Sequence, residues 1–597
     1  FWVRAVCTSR DACSPSAGAE DLEAVPAILA ALVQLALCCR RRVAYSSRSD
    51  MRDTRIMRLR RAGGACVAIV VGMLAPAAFA QAPAPKVTIT GTFDQVTALG
   101  TNFYDGNYAR TSDREWYART RFRPDFTFEV GRTKAVLGLE IDLQYGQAAA
   151  TDGGFPGNVT GASGHRVSAN GGLDLNTDVG GMIEVKWIYT EFDLTGKDSL
   201  LPFIPVPTVA RAGGQPFSSL ANYKVAYANG DFAGVSAVTT WAPNLTTKLA
   251  YVMVEDAGGT LNRGGALART TRGDDFAVIV SPEITPMKGL DIKPLYSYFH
   301  AEGLTSASAR RNVTNRFSGS SGGSTTNAAA TWGGGNPAGA TDHQENRHTI
   351  GFDARWRSGP FGLDPTVYYQ VGTRDNQCLC PDTSGGAAFA RRVETRMSAW
   401  LADVQGSFQA GPFLLEVRGV YSTGNEARDN LARRISYYEP LDMDTSYYAG
   451  WASILALGVD YYNGGNQANA NMATNVGYDR YGRAQFGVRG TYNVTPALAF
   501  YAVVSPTWTA EKVDTDWSGT RGILNDKSFV EGDSRYIGTE SDIGMTWRFA
   551  PNVAFDLSGA YLAAGPALDV TELLNGVATK REAKDGWTVA SRIRLSF

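Results

Sequence analysis

The sequence predicts an all-β fold: a transmembrane antiparallel β-barrel of about 18 strands, with short turns on one rim and long loops on the other. Three observations predict it. Apolar and polar residues alternate with a period of two along most of the chain, which puts the two sets on opposite faces of a strand. Short turn signals alternate with long polar stretches, as a barrel with two unlike rims requires. Mean hydropathy over the 597 residues is only −0.18, and no stretch approaches the roughly 20 apolar residues of a spanning helix. Strands that are apolar on one face average out on that scale, so spanning helices are excluded and a barrel is not.

The chain divides before the barrel begins. Residues 1–56 carry Cys7, Cys13, Cys38, Cys39 and the run Arg40-Arg41-Arg42, and their apolar run from Val25 to Leu37 is too short to cross a bilayer. They are expected to be upstream translated sequence, a mis-assigned start or an extension without structure. Residues 57–80 read as a signal peptide. Arg58, Arg60 and Arg61 form a basic beginning, Ala62 to Pro76 an apolar middle, and Ala78-Phe79-Ala80 a small-x-small cleavage site. Residues 81–597 are expected to be the barrel, exported after cleavage behind Ala80.

That cleavage would remove 11 of the 57 Lys and Arg and 6 of the 58 Asp and Glu, leaving 46 and 52 and a net charge of −6. An acidic mature chain argues against a nucleic-acid partner. Of seven cysteines only Cys378 and Cys380 would remain, expected in an external loop, so backbone pairing rather than a disulfide framework must hold the fold.

The strands follow in order. Trp116, Ala118, Thr120, Phe122, Pro124, Phe126, Phe128 and Val130 share one parity; Arg119, Arg121, Arg123, Asp125 and Glu129 share the other. After a turn at Gly131 the pattern resumes, with Leu137, Leu139, Ile141 and Leu143 opposing Glu140 and Asp142. Turn signals recur at Ala242-Pro243-Asn244, Ser358-Gly359-Pro360, Ala410-Gly411-Pro412, Thr495-Pro496 and Ala550-Pro551-Asn552, and long polar stretches cover 147–180, 302–342, 425–479 and 514–533. Strands are then expected to begin near Val87, Asp113, Lys134, Gly181, Phe203, Asp231, Leu245, Arg272 and Gly289. Nine more begin near His343, Phe361, Arg392, Pro412, Asp479, Ala497, Ser534, Asn552 and Lys584. The total is 18, even as a single-chain barrel needs. The strand near Phe203 contains Pro202, Pro205 and Pro207, which a strand interior resists; losing one hairpin leaves 16. Serial soluble sandwiches would need linkers, and none is visible.

The last strand, Trp587 to Phe597, alternates and ends on Phe. It resembles the signal by which the outer-membrane assembly machinery recognises bacterial barrels, with Phe597 as its terminal residue. With the signal peptide and the two-rim pattern, the mature chain resembles the Gram-negative porins over nearly its whole length. The segment Arg211-Ala-Gly-Gly-Gln-Pro-Phe217 looks like the point where porin strands pass into the constriction loop. The resemblance implies an outer-membrane channel through which small hydrophilic solutes and ions diffuse, contacts with outer-membrane lipid, and a homotrimer as one assembly. It implies no cofactor, no metal and no catalysis. At 18 strands the chain departs from the 16 of general trimeric porins and looks closer in size to substrate-selective barrels.

On this reading the polar parity lines the lumen: Arg119, Arg121, Arg123, Glu140, Asp142, Glu184, Lys186, Arg355, Arg357, Glu416, Arg418, Arg483, Arg489, Arg592 and Arg594. A charge facing lipid at mid-bilayer costs roughly 2–4 kcal/mol, so these must face water. By the resemblance, 212–230 folds inward as the constriction, with Gln215, Phe217, Tyr223, Lys224 and Asp231 around it; the competing expectation is that 221–228 is an ordinary strand. Trp116, Trp187, Trp241, Trp356, Trp547 and Trp587 are expected in interfacial girdles.

Catalytic signals are poor. Gly319-Ser-Ser-Gly-Gly323 fits a G-x-S-x-G pattern inside Gly/Ser-rich sequence, without the strand–turn–helix setting a nucleophile elbow needs. A barrel hydrolase of the phospholipase kind would need a Ser–His pair on the outer wall near the loop rim, with His300 as its candidate base. An adhesin or receptor would use the 425–479 loop and predicts a plugged lumen.

Overall fold

A computed structural model describes residues 84–102, 114–145, 182–216, 226–228, 231–255, 275–302, 344–380, 389–426, 429, 434–441, 452–455, 481–513, 515 and 532–597. Residues 83–597 form one compact unit; the expected divisions at 1–56 and 57–80 lie outside the described residues.

The first nine strands are β1 (Lys86–Thr101), β2 (Arg114–Val130), β3 (Thr133–Tyr145), β4 (Met182–Thr195), β5 (Thr208–Pro216), β6 (Asp231–Ala242), β7 (Leu245–Glu255), β8 (Asp275–Met287) and β9 (Leu290–Glu302). There follow β10 (Gln344–Ser358), β11 (Phe361–Cys380), β12 (Phe389–Ala410), β13 (Phe413–Ser422), the two-residue β14 (Arg434–Ile435), β15 (Arg483–Thr495), β16 (Leu498–Val513), β17 (Ser534–Ala550) and β18 (Val553–Ala564). The chain ends with a small hairpin, β19 (Val570–Leu574) and β20 (Val577–Arg581), and with β21 (Gly586–Ser596).

Each large strand pairs antiparallel with its sequence neighbours. β13 pairs β15 directly, and β18 pairs β21. The circle closes between β1 and β21, from Thr92↔Ser596 to Thr101↔Trp587. Leaving out β14, β19 and β20, the wall is a closed barrel of 18 staves, which removes every open edge. Phe597 tightens the closure: its N–H donates to Gly91 O (3.0 Å), its carbonyl accepts from Gly91 N–H (2.9 Å), and its ring stacks on Phe122. A Cβ at residue 91 would lie 2.9 Å from the Phe597 ring and 2.3 Å from Arg123 O, so glycine makes room for the terminal residue.

Burial is inverted relative to a water-soluble sheet. On β1, Val87, Ile89 and Phe93 are exposed while Asp94 is buried; on β10, Ile350, Phe352 and Trp356 are exposed while Glu345, Arg347 and Asp353 are buried. Apolar residues outward and charges inward is the patterning of a barrel whose outer solvent is hydrocarbon. No helix among the described residues is long and apolar enough to cross a membrane.

Seven turns on one rim are two residues long. Gly131 and Gly359 adopt φ of 59° and 55° there, left-handed values that suit glycine. Three expectations are corrected. The fifth stave begins at Thr208, not near Phe203, because the prolines at 202, 205 and 207 lie in the connection before it. Cys378 and Cys380 lie on β11, paired with Arg391 and Phe389, because β11 and β12 run on beyond the rim as a hairpin. Gln215 and Asp231 belong to the wall: Gln215 pairs with Phe232 and Asp231 with Pro216, so β5 and β6 are adjacent staves and no extra strand separates them.

Candidate functional site: a charged lumen with inward loops

Strand parity places the site. On β2–β4 three cations converge on one carboxylate: Arg121 Nη2 lies 3.0 Å, Arg123 Nε 2.7 Å and Lys186 Nζ 3.1 Å from Glu140. A bulge opposite Gly138–Leu139 turns two consecutive residues of β4 inward. Val185 and Ile188 are exposed on the outer wall, while Lys186 reaches Glu140 and Trp187 lies across Gly138, where a Cβ would sit 2.0 Å from Nε1. Trp187 is therefore not in the girdle. Trp241, Trp356 and Trp547 are exposed on the outer wall as expected.

Across the closing seam Arg594 forks onto Asp94 (2.6 and 2.5 Å), and between β18 and β21 Arg592 donates twice to Asp556 Oδ2 (2.9 and 2.6 Å). Arg418 forks onto Asp403 (3.0 and 2.6 Å). Glu416 accepts from Gln405 (2.9 Å) and has Arg489 at 3.9 Å, whose guanidinium lies over Tyr501. Arg483 is buried and donates to Gln485 (2.8 Å). Arg355 and Arg357 share the inward parity of β10 near the turn rim, where Arg357 donates to Asp364 (2.8 Å). Arg119, Asp142 and Glu184 hold the same parity on β2, β3 and β4; their side chains lie outside the described set.

Two connections from the loop rim enter this lumen. Ala226, Tyr227 and Ala228 of the β5–β6 connection are buried. Tyr227 donates its hydroxyl to Ser297 Oγ on β9 (2.5 Å), and its ring packs on Tyr368 of β11; burial pushes its phenol pKa up. Phe217, Tyr223 and Lys224 lie outside the described residues. The β13–β15 connection meets this segment from the other side. Leu441 N–H donates to Tyr227 O (2.9 Å) and Tyr438 hydroxyl to Ala226 O (2.9 Å).

Charge pins the second connection. Glu439 lies 3.1 Å from Arg347 and is paired with Arg374, and both arginines also pair with Glu345 (3.3 and 2.8 Å). Two cations and two carboxylates neutralise one another, as burial demands. Gln370 donates to Glu439 O (2.7 Å) and accepts Glu439 N–H (2.9 Å). Arg374 also donates to the Tyr437 hydroxyl (3.0 Å), whose pKa burial pushes up to about 12. Further along, Ser453, Ile454 and Leu455 donate backbone N–H groups to Asp542 (3.1 Å) and Glu540 (2.6 and 2.8 Å) on β17.

Sequence reasoning missed this second set. Alternation could have placed Glu345, Arg347 and Arg374 on the polar parity. Glu439 sits in a loop, where periodicity carries no signal. His300 and His348 lie on the outer parity of β9 and β10. His300 bonds Asn346 (2.9 Å) and Tyr298 (3.5 Å), and His348 bonds Tyr296 (3.0 Å); the bonds described for His300 do not include a serine. Gly319–Gly323 lies outside the described residues. Among the described residues no group of three His, Cys, Asp or Glu could hold a metal.

No protein-family model and no curated protein sequence matches the chain. Solved structures do. OccK8 (OprE) of Pseudomonas aeruginosa is 12% identical over 86% of this chain and 98% of its own, with a TM-score of 0.42. A BenF-like porin from Pseudomonas fluorescens Pf-5 is 11% identical over 86% and 98%, with a TM-score of 0.42. OpdL of Pseudomonas aeruginosa is 10% identical over 86% and 99%, with a TM-score of 0.40.

Proposed function

We propose that this chain is an outer-membrane porin, a channel for passive diffusion of small hydrophilic solutes and ions through a charged, water-filled lumen. The observation that carries the reading is the inverted closed barrel: apolar residues cover its outside and ion pairs line its inside. Such a wall is stable only with hydrocarbon outside and water within. Solute crosses down its gradient, and no covalent step is needed. The lining charges set a transverse field that orients dipolar solutes and sorts ions. The buried segments 226–228 and 434–441 narrow the aperture between them, with Arg347, Arg374 and Glu439 holding the second in place.

Export through a signal peptide cleaved near Ala80, and insertion by the barrel assembly machinery through the strand ending at Phe597, complete the reading. Planar-bilayer recording of the refolded protein tests the function. Stepwise conductance with a non-zero reversal potential in a KCl gradient is expected; a folded barrel that never conducts would sink it. Triplets of equal steps would mark the homotrimer. The mass of protein recovered from outer membranes reads the start at Gln81.

A further inference from the structure

Seven of the eight connections on the turn rim have two residues; the eighth, 196–207 between β4 and β5, has twelve. It is firmly built. Gly196 N–H donates to Ile204 O (2.9 Å), Leu200 N–H to Asp193 O (3.1 Å), Leu201 N–H to Leu194 O (2.9 Å) and Ile204 N–H to Leu201 O (3.2 Å). Thr195 hydroxyl donates to Val206 O (2.5 Å) and Ser199 hydroxyl to Gly196 O (2.7 Å). Three prolines fix further φ angles. This rigid turn holds an apolar tip in the open: Phe203 is 78% exposed, more than any other large apolar residue described, and Leu200 and Ile204 flank it.

The tip adjoins the lipid-facing wall. Leu200 and Leu201 fold back beside Asp193 and Leu194 rather than extending away from the barrel, and Pro207 O accepts Thr240 N–H (3.0 Å) next to the exposed Trp241. Thr208 meets Thr239 hydroxyl to hydroxyl (3.0 Å), on the β6 parity that carries exposed Val235 and Trp241. Thr208 and its Cα partner Thr195 are nevertheless each only 8% exposed, as expected if the connection lies over the outward face.

We propose that 196–207 is a membrane-interface foot, which seats Phe203 at the headgroup–acyl boundary of the phospholipid leaflet on the turn rim. The proposal rests on the outer-membrane reading above. Phospholipid is the occupant because the apolar tip continues the apolar outer wall, and the exposed Lys197 beside it suits a phosphate. An aromatic on a short rigid turn loses little conformational entropy on insertion. The foot fixes the depth of the β4–β6 sector, a task that girdle tryptophans perform elsewhere on such walls.

Full-length Phe203→Trp protein, with Leu200→Trp as a second variant, is inserted in vesicles of phosphatidylethanolamine and phosphatidylglycerol with or without acyl-chain bromine. Emission gained over the parent protein is read. Loss of that gain to brominated lipid, with none to aqueous iodide, is the expected result. Loss to iodide alone overturns the proposal in favour of a water-facing surface. Protection from both overturns it in favour of a second copy of the chain seated there. Failure of the parent protein to insert in the same vesicles overturns the outer-membrane reading and the foot with it, whereas insertion with iodide quenching overturns the foot alone.

Discussion

Around Glu140 three cations share one carboxylate, with Arg121, Arg123 and Lys186 all within 3.1 Å. Glu140 and Arg121 are buried, so water damps their Coulomb energy little; on the proposed channel reading their field acts on passing ions. Glu140→Gln removes one negative charge and leaves three cations in place. The reversal potential in a KCl gradient should move toward that of chloride, and the shift should shrink as salt rises, because screening reaches about 10 Å at 0.1 M. An unmoved reversal potential at low salt would show that the cluster lies off the ion path. The parity that put Glu140, Arg121 and Arg123 inward was legible in the sequence. The bulge that turns Lys186 and Trp187 inward together was not, because it depends on the Gly138–Leu139 register across the strand pair.

At the scale of elements, the β13–β15 connection is held by few but costly contacts. Glu439 reaches both Arg347 and Arg374 in a buried setting, and removing one member of such a set costs about 3–5 kcal/mol. Glu439→Gln should therefore loosen the 434–441 segment while leaving the 18 staves intact. Single-channel current should rise or flicker between levels, with an unchanged heat-modifiable band on gels. Unchanged, quiet conductance in this variant would mean that the segment does not narrow the pore. Strand order in the wall was readable from alternation and turn chemistry, except that the fifth stave was expected near Phe203 and begins at Thr208, after Pro202, Pro205 and Pro207. The inward course of 226–228 and 434–441 was not, since each is fixed by contacts with strands far away in sequence, at Ser297, Tyr368 and Gln370.

For the whole molecule, Phe597 contacts the seam at which the barrel closes. Phe597 exchanges two backbone hydrogen bonds with Gly91 and stacks on Phe122, at the seam where the first and last staves meet. Deleting Phe597 removes both bonds and the ring contact. The fraction of protein reaching the heat-modifiable form in outer membranes should fall, and the surviving barrels should unfold at lower temperature. Full assembly with unchanged melting would show that the seam closes without it.

What the sequence by itself determined is the wall: alternation with a period of two, six of the seven two-residue turns and the 18-strand count. These are local properties, because a strand's two faces and a turn's dihedral angles depend on residues within a few positions. The tertiary structure alone decided what occupies the lumen. Glu439 with Arg347 and Arg374, the clamp of Glu540 and Asp542 on 453–455 and the meeting of Tyr227 with Leu441 join residues 65 to 214 positions apart. No local pattern encodes such contacts; they exist because closing the barrel brings distant staves and connections together, burying side chains for which unpaired charge is costly.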